Sequence, residues 1–417
     1  MNKQPRASLT VGISCAFEEN AVRALSTYAS SHNFLLERVV PNRTLSLIAA
    51  EIASRLPGIP EGARRYVART RRNLSLGTLS ADMPGSIASE VFRIAGGHRV
   101  HLLSSFLGNY LWKAMFDYTC RRKLRKDLSV VIGMPGSCLR TFESMPDTFK
   151  VFHAIDAHPR SRNDALLRTY GRRRARAELY PARFVSRMEV ELELADMVLV
   201  ASELAATQML EHGVNPAKIV CVPYAVDSET FQYDPLASHG NKSSSRLRAL
   251  CVAQVSLRKG IPVLLSAVEG LPVDLTLVGQ VFDQRILRNL PSNVTLRGSL
   301  SKKELIRAYA NADVFVLPTI EDICSLVVAE AATAGLPVIT TTANGAKELL
   351  GKSHSIIEPG NVEVLRQALA TAATPSDEVR AKISQEMREM LGEGDSANTP
   401  WERYAAMVFG EIAHKQR

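Results

Sequence analysis

Both halves of this chain alternate short apolar, β-branched runs with amphipathic helical stretches, and that alternation constrains the fold more than any other feature. In the first half the runs are 9–15, 34–40, 129–133, 150–154, 197–201 and 219–223. In the second they are 249–254, 273–278, 294–297, 314–318, 336–340 and 355–357. Helical periodicity fills most gaps, as over 302–310 and 362–373. Strands separated by helices pair in parallel, and a parallel sheet is covered on both faces. Between the halves, 234–248 (DPLASHGNKSSSRLR) is polar and rich in serine, and reads as a linker. The expectation is an α/β protein with two doubly wound, Rossmann-like domains facing each other across a cleft, residues 1–233 and 249–399, followed by a last segment, 400–417. A length of 417 residues suits two cores. The segment 56–128 is less regular; its aromatic piece, 106–118, reads either as a buried helix or as an amphipathic surface, with burial favoured.

Charge is unevenly placed. Of a net +9, residues 1–235 carry 31 Lys and Arg against 23 Asp and Glu, and the rest 20 against 19. The basic clusters are Arg64, Arg65, Arg69, Arg71 and Arg72; Arg121, Arg122, Lys123, Arg125 and Lys126; and Arg172, Arg173, Arg174 and Arg176. Such a half attracts anionic partners, or simply keeps a solvated face. Without stacking aromatics or a nucleic-acid module, an anionic membrane surface is the favoured partner and nucleic acid is not expected. No signal-peptide core opens the chain and no run approaches the apolar length that spans a bilayer. The six cysteines show no metal or redox spacing, so reduced thiols and a cytoplasmic site, peripheral on the inner membrane face, are expected.

The most informative stretch is 313–350, DVFVLPTIEDICSLVVAEAATAGLPVITTTANGAKELL. A buried strand ends at Pro318, a polar loop follows, and a helix begins near Cys324–Ser325 and runs to about Thr333. A helix opening at a strand's carboxyl end offers free N–H groups and its positive dipole end to a phosphate. Asp322 precedes the helix and Glu330 follows eight residues on. Two readings of that spacing stand: carboxylates accepting from sugar hydroxyls, or an N-cap aspartate and a solvated helical glutamate. A second loop, 249–260 (ALCVAQVSLRKG), places Lys259 at a helix entrance, where an ammonium meets a diphosphate or merely decorates the surface. In the first half, 150–159 (KVFHAIDAHP) puts His153 at a strand end with Asp156 just beyond, as a hydrogen-bonding group or a structural histidine.

The pair Asp322–Glu330 with Ala331, Ala332, Gly335, Leu336, Pro337 and Val338 resembles the signature of retaining GT-B glycosyltransferases of family 4, the glycosyl transferases of group 1. The resemblance is specific over about 195–360 and diffuse over 1–150. It implies sugar transfer from a nucleotide-diphosphate sugar to a glycan or lipid-linked acceptor, with no metal or other cofactor. The first acid, Asp322 here where the family has Glu, would contact the donor sugar, with Glu321 as its substitute; Glu330 would hold the ribose. Ile323 and Ser325 replace the family's usual glycines. The family grips the diphosphate with an Arg and a Lys five residues later; Lys259 matches the Lys, whereas Gln254 stands at the Arg position and brings no charge. The donor site would further take in Ser256, Gly279 and Gly298 beside the base, and the backbone at Cys324, Ser325 and Leu326. His153 matches the family's active-site histidine, and Asp156, Arg160 and Arg162 lie on the acceptor side. The helix near Trp401 resembles one that packs back on the first domain. Glu18, Glu19 and Asn20 replace the glycine pair the family often carries in its first loop. The expected role is bacterial cell-surface polysaccharide assembly; the departures at Gln254 and Asp322 favour as the alternative a non-catalytic subunit that binds a nucleotide sugar or a partner enzyme.

Overall fold

The computed structural model describes residues 112–235, 246–391 and 400–416 continuously, together with 7–10, 37–42, 79–82, Leu25, Tyr28 and Tyr110. The first-loop residues 18–20 and the cluster at Arg64–Arg72 lie outside them. Thirteen described strands form two parallel sheets. The first holds β1 (Ala7–Thr10), β2 (Glu37–Asn42), β3 (Leu79–Asp82), β4 (Val130–Gly133), β5 (Phe149–His153), β6 (Met197–Val200) and β7 (Ile219–Cys221), in the order β3-β2-β1-β4-β5-β6-β7. The second holds β8 (Leu247–Val252), β9 (Val273–Val278), β10 (Val294–Arg297), β11 (Val314–Leu317), β12 (Val338–Thr341) and β13 (Ser355–Ile357), in the order β10-β9-β8-β11-β12-β13. Each sheet winds outward in both directions from one seam, β1/β4 or β8/β11, and the crevice at such a reversal is where doubly wound sheets bind ligands.

The central strands read as continuous apolar runs because both faces are covered: all four residues of β4, β6 and β11 are buried. Strand β3 falls in the stretch that looks irregular in the sequence. Most of the expected linker, 236–245, lies outside the described residues, and its last two, Leu247 and Arg248, belong to β8. Arg248 is fixed there by Asp313, Nη2 to Oδ1 at 2.6 Å and Nε to Oδ2 at 3.0 Å.

Helix α1 (Trp112–Lys123) buries Phe116, Asp117 and Cys120, so the described part of the aromatic segment is packed, with Tyr118 left 49% exposed. Helix α2 (Pro159–Ala175) follows β5, α3 (Ala182–Leu194) precedes β6, and α4 (Glu203–Glu211) follows β6. In the second domain α5 (Ile261–Val268) follows β8, α6 (Lys302–Ala310) precedes β11, and α7 (Leu326–Thr333) follows β11. The last helix, α8 (Pro400–Lys415), lies against the first domain: Phe409 stacks on Tyr28 at 5.2 Å and Tyr404 reaches His153.

Candidate functional site

Two loops flank the β8/β11 seam, and each is shaped by a backbone contact with the other. The loop after β8 closes on Gly260 at φ 69°, and a side chain there would put its Cβ 1.8 Å from the Pro318 carbonyl oxygen. The loop after β11 answers through Arg258: its carbonyl accepts from Ile320 N–H at 2.8 Å and Thr319 Oγ1 at 3.0 Å. Gly279, at φ 144°, lets the end of β9 pass within 1.9 Å (virtual Cβ to oxygen) of the Ala253 carbonyl.

These contacts bring Lys259 onto Asp322, whose carboxylate also accepts from Ser325 Oγ. Ser325, not Asp322, stands at the N-cap of α7, and its side chain makes no cap bond because it is turned to Asp322. The N-cap reading of Asp322 is thereby excluded. Burial raises the Asp322 pKa, but the Lys259 and Arg258 charges and the bonds from Lys259 and Ser325 outweigh it and hold the carboxyl below the usual aspartate range. Glu330 is not a solvated glutamate either. Tyr309 donates its hydroxyl to Glu330 Oε2 at 2.9 Å, and burial pushes the carboxyl up to about 7.

Glu321 is 2% exposed, and neither carboxylate oxygen has a hydrogen-bond partner. Its nearest cation is Arg258, Nη1 to Oε2 at 3.9 Å. Burial, only partly opposed by Arg258, pushes its pKa up to about 7. Because the folded value lies above the ordinary 4.5, the cost of charging it is absent below about 4.5 and fully present above about 7. The melting-temperature difference between Glu321→Gln and the parent is therefore expected to grow in the variant's favour from pH 4.5 to 7 and then level off. A difference independent of pH would show that Glu321 is not charged at that cost.

The remaining sequence-predicted residues divide clearly. Ser256, 1% exposed, accepts from Lys259 N–H at 3.3 Å and braces the loop. Gln254 is exposed and Gly298 has open space around it. Ile323 and Cys324 are buried and Leu326 half-buried, and the Ile323 carbonyl accepts from Ser202 Oγ of the first domain at 2.6 Å. His153 is 1% exposed, its Nε2 at 2.9 Å from Tyr404 Oη, and burial lowers its pKa to about 4, so it is neutral at pH 7. Asp156 accepts from Tyr180 Oη at 3.1 Å. Arg160 departs from its expected place: it pairs with Glu189 at the surface, side chain 56% exposed. Arg162, two residues on and so about 200° round the helix, stacks over Tyr180 at 3.9 Å and turns inward.

Several residues of the site carried no sequence signal. Glu178 of the first domain accepts from the amides of Leu257 at 2.6 Å and Arg258 at 3.0 Å. Glu348 of the second returns the arrangement, accepting from the amides of Glu203 and Leu204 at 2.9 Å each, at the start of α4. Beside the first clasp, Leu257 packs against Leu166 and Ala175. Arg258, Tyr180, Tyr309 and Tyr404 complete the set. A site of this build has the chemistry to hold an anion with Lys259 and the α7 terminus, and to accept hydroxyl hydrogen bonds on buried carboxylates.

Residues 246–374 match the family model described as glycosyl transferases group 1. Among curated proteins, the chain is similar to the sulfoquinovosyl transferase SQD2 of Arabidopsis thaliana, 28% identical over 185 residues that cover 40% of this chain and 36% of that protein. It is also similar to the MMP alpha-(1->4)-mannosyltransferase of Mycolicibacterium hassiacum, 26% identical over 204 residues, 46% of this chain and 48% of that one. These matches span about half or less of the relatives' length. Among solved structures, the sucrose-phosphate synthase of Thermosynechococcus elongatus superposes with a TM-score of 0.68 at 16% identity, covering 99% of each chain. That likeness shows the fold: two Rossmann-like domains in the GT-B arrangement.

Proposed function

We propose that this GT-B protein, whose residues 246–374 form a glycosyl transferases group 1 module, transfers a sugar from a nucleotide-diphosphate donor to a glycan or lipid-linked acceptor. The observation that carries the reading is the convergence of Lys259, Asp322 and Ser325 at the start of α7, beside the β8/β11 seam and inside the matched region. In this reading the diphosphate lies on Lys259 and the amides at the α7 terminus, with Gln254 adding a neutral hydrogen bond. Asp322 exchanges part of its bond to Lys259 for a sugar hydroxyl, and Glu330 receives the ribose. No protein nucleophile is invoked. The acceptor hydroxyl attacks from the face the diphosphate leaves, its proton passing to the leaving phosphate, so the anomeric configuration is retained. Rate comes from positioning and from charges already in place where the diphosphate leaves.

Among the described residues no three His, Cys, Asp or Glu side chains are grouped to hold a metal ion, and the reading gives charge neutralisation to Lys259 and the helix terminus. No described helix is long and apolar enough to cross a membrane. The exposed Arg172, Arg173, Arg174 and Arg176 at the end of α2, with Arg121, Arg122 and Lys123 at the end of α1, suit docking of the first domain on an anionic surface. A cytoplasmic enzyme of cell-surface polysaccharide synthesis fits these features.

A thermal-shift series with UDP, GDP and ADP tests the donor site. One nucleotide is expected to raise the melting point, by an amount equivalent to about 2.7 kcal/mol at a hundred times its dissociation constant. The shift is expected to shrink strongly in Glu330→Ala. No shift with any nucleotide would move the protein to the class of non-catalytic subunits. Inversion at the anomeric carbon, read by NMR of the product, would sink the proposed mechanism.

A further inference from the structure

Six charged side chains from the two domains meet at the cleft: Asp156 and Arg162 from the first, Arg258, Lys259, Glu321 and Asp322 from the second. The side chains of Asp156, Arg258, Lys259 and Asp322 make hydrogen bonds, and Glu321 has only the Arg258 guanidinium beside it. Lys259 and Asp322 hold each other, and Asp156 takes the Tyr180 hydroxyl. Arg258 donates to the Glu321 carbonyl at 3.4 Å and stands 3.9 Å from its carboxylate. Arg162 differs. It rests its guanidinium on the Tyr180 ring at 3.9 Å, yet its Nε and Nη1 are shielded from water and make no hydrogen bond. Asp156 and Glu321 act on it only from beyond ion-pair distance.

A desolvated guanidinium with two unmade hydrogen bonds is costly, and the cost is recovered when an anion arrives. Stacking on Tyr180 fixes the guanidinium plane, so the Nε and Nη1 donors are held in place to receive an oxyanion. Arg162 belongs to the start of α2 in the first domain and rests on Tyr180, whereas Lys259, Asp322 and Ser325 gather at the second-domain seam, which sets it apart from the proposed diphosphate position. We propose that Arg162 anchors a negatively charged group, a phosphate or a carboxylate, carried by the acceptor. This rests on the reading of the cleft as a sugar-transfer site.

The test is calorimetric titration of the full chain with glucose 6-phosphate, glucuronate and glucose, with and without the nucleotide found by thermal shift. The parent is expected to prefer at least one charged sugar over glucose by about tenfold or more. That preference should vanish in Arg162→Gln and persist in Arg160→Gln, with nucleotide affinity within about twofold throughout. The stronger of the two charged sugars identifies the anionic group. Equal binding of all three sugars by the parent would overturn the proposal. So would a preference that survives Arg162→Gln, or a loss of nucleotide affinity that matches the loss of charged sugar, since that would assign Arg162 to the donor. Should Arg162→Gln fail to fold, Arg162→Met, which keeps packing on Tyr180, is read the same way. If no nucleotide binds, an Arg162-dependent preference in the nucleotide-free arm keeps the anion site while the transferase reading falls.

Discussion

Replacing Lys259 with alanine is expected to lower donor turnover by a factor of about a hundred to a thousand, the range seen when one preorganised charge or donor is removed from a transition state. The effect has two parts. The diphosphate loses the cation nearest the α7 terminus, and no charge stands at Gln254 to replace it. Asp322 also loses its ion-pair partner while buried, with 8% of its side chain exposed, which costs about 3–5 kcal/mol in the usual case of a broken buried pair. Initial rates of donor hydrolysis and sugar transfer check the first part, and urea melts the second. The double variant Lys259→Ala with Asp322→Ala separates them: stability should largely return and activity should not. A single variant retaining more than about a third of parental turnover would remove Lys259 from the leaving-group site.

Gly260→Ala is expected to be as damaging for a different reason. The left-handed backbone costs any L side chain about 1–2 kcal/mol. The larger cost is steric, because the new Cβ would lie 1.8 Å from the Pro318 carbonyl oxygen, a backbone atom that cannot swing aside. The loop after β8 and the loop after β11 would have to separate, breaking the two bonds that the Arg258 carbonyl accepts. A loss of about 3 kcal/mol or more in denaturant unfolding is expected, with nucleotide-induced stabilisation lost alongside it. Gly298→Ala, at a site with nothing within 4 Å of the added carbon, is the matched control for the unfolding measurement and should be near neutral in stability.

The second domain was almost fully legible from residue order. Its strands are short, apolar and bounded by turn residues, and the seam loops follow directly from them. Strand β3 was not legible, because its four residues, Leu79–Asp82, carry no apolar run. At the site, Asp322, Glu330 and Lys259 stood out through local spacing, whereas Glu178, Tyr180 and Tyr404 act on partners 79, 24 and 251 residues away. No periodicity encodes such distances. Arg160 and Arg162 show the limit from the other side: both sit on the same helix start, and only the rotation between them decides which one meets the cleft.

The two carboxylate clasps, Glu178 on the Leu257 and Arg258 amides and Glu348 on the Glu203 and Leu204 amides, have a consequence for divergence. Each grips main chain, which every residue except proline offers alike. Each clasp therefore specifies one side chain and asks of the opposing segment only its backbone, while side-chain contacts such as Leu257 with Leu166 and Ala175 are specified elsewhere in the joint. At the clasps themselves, either backbone segment can exchange residues other than for proline without loss of the bonds.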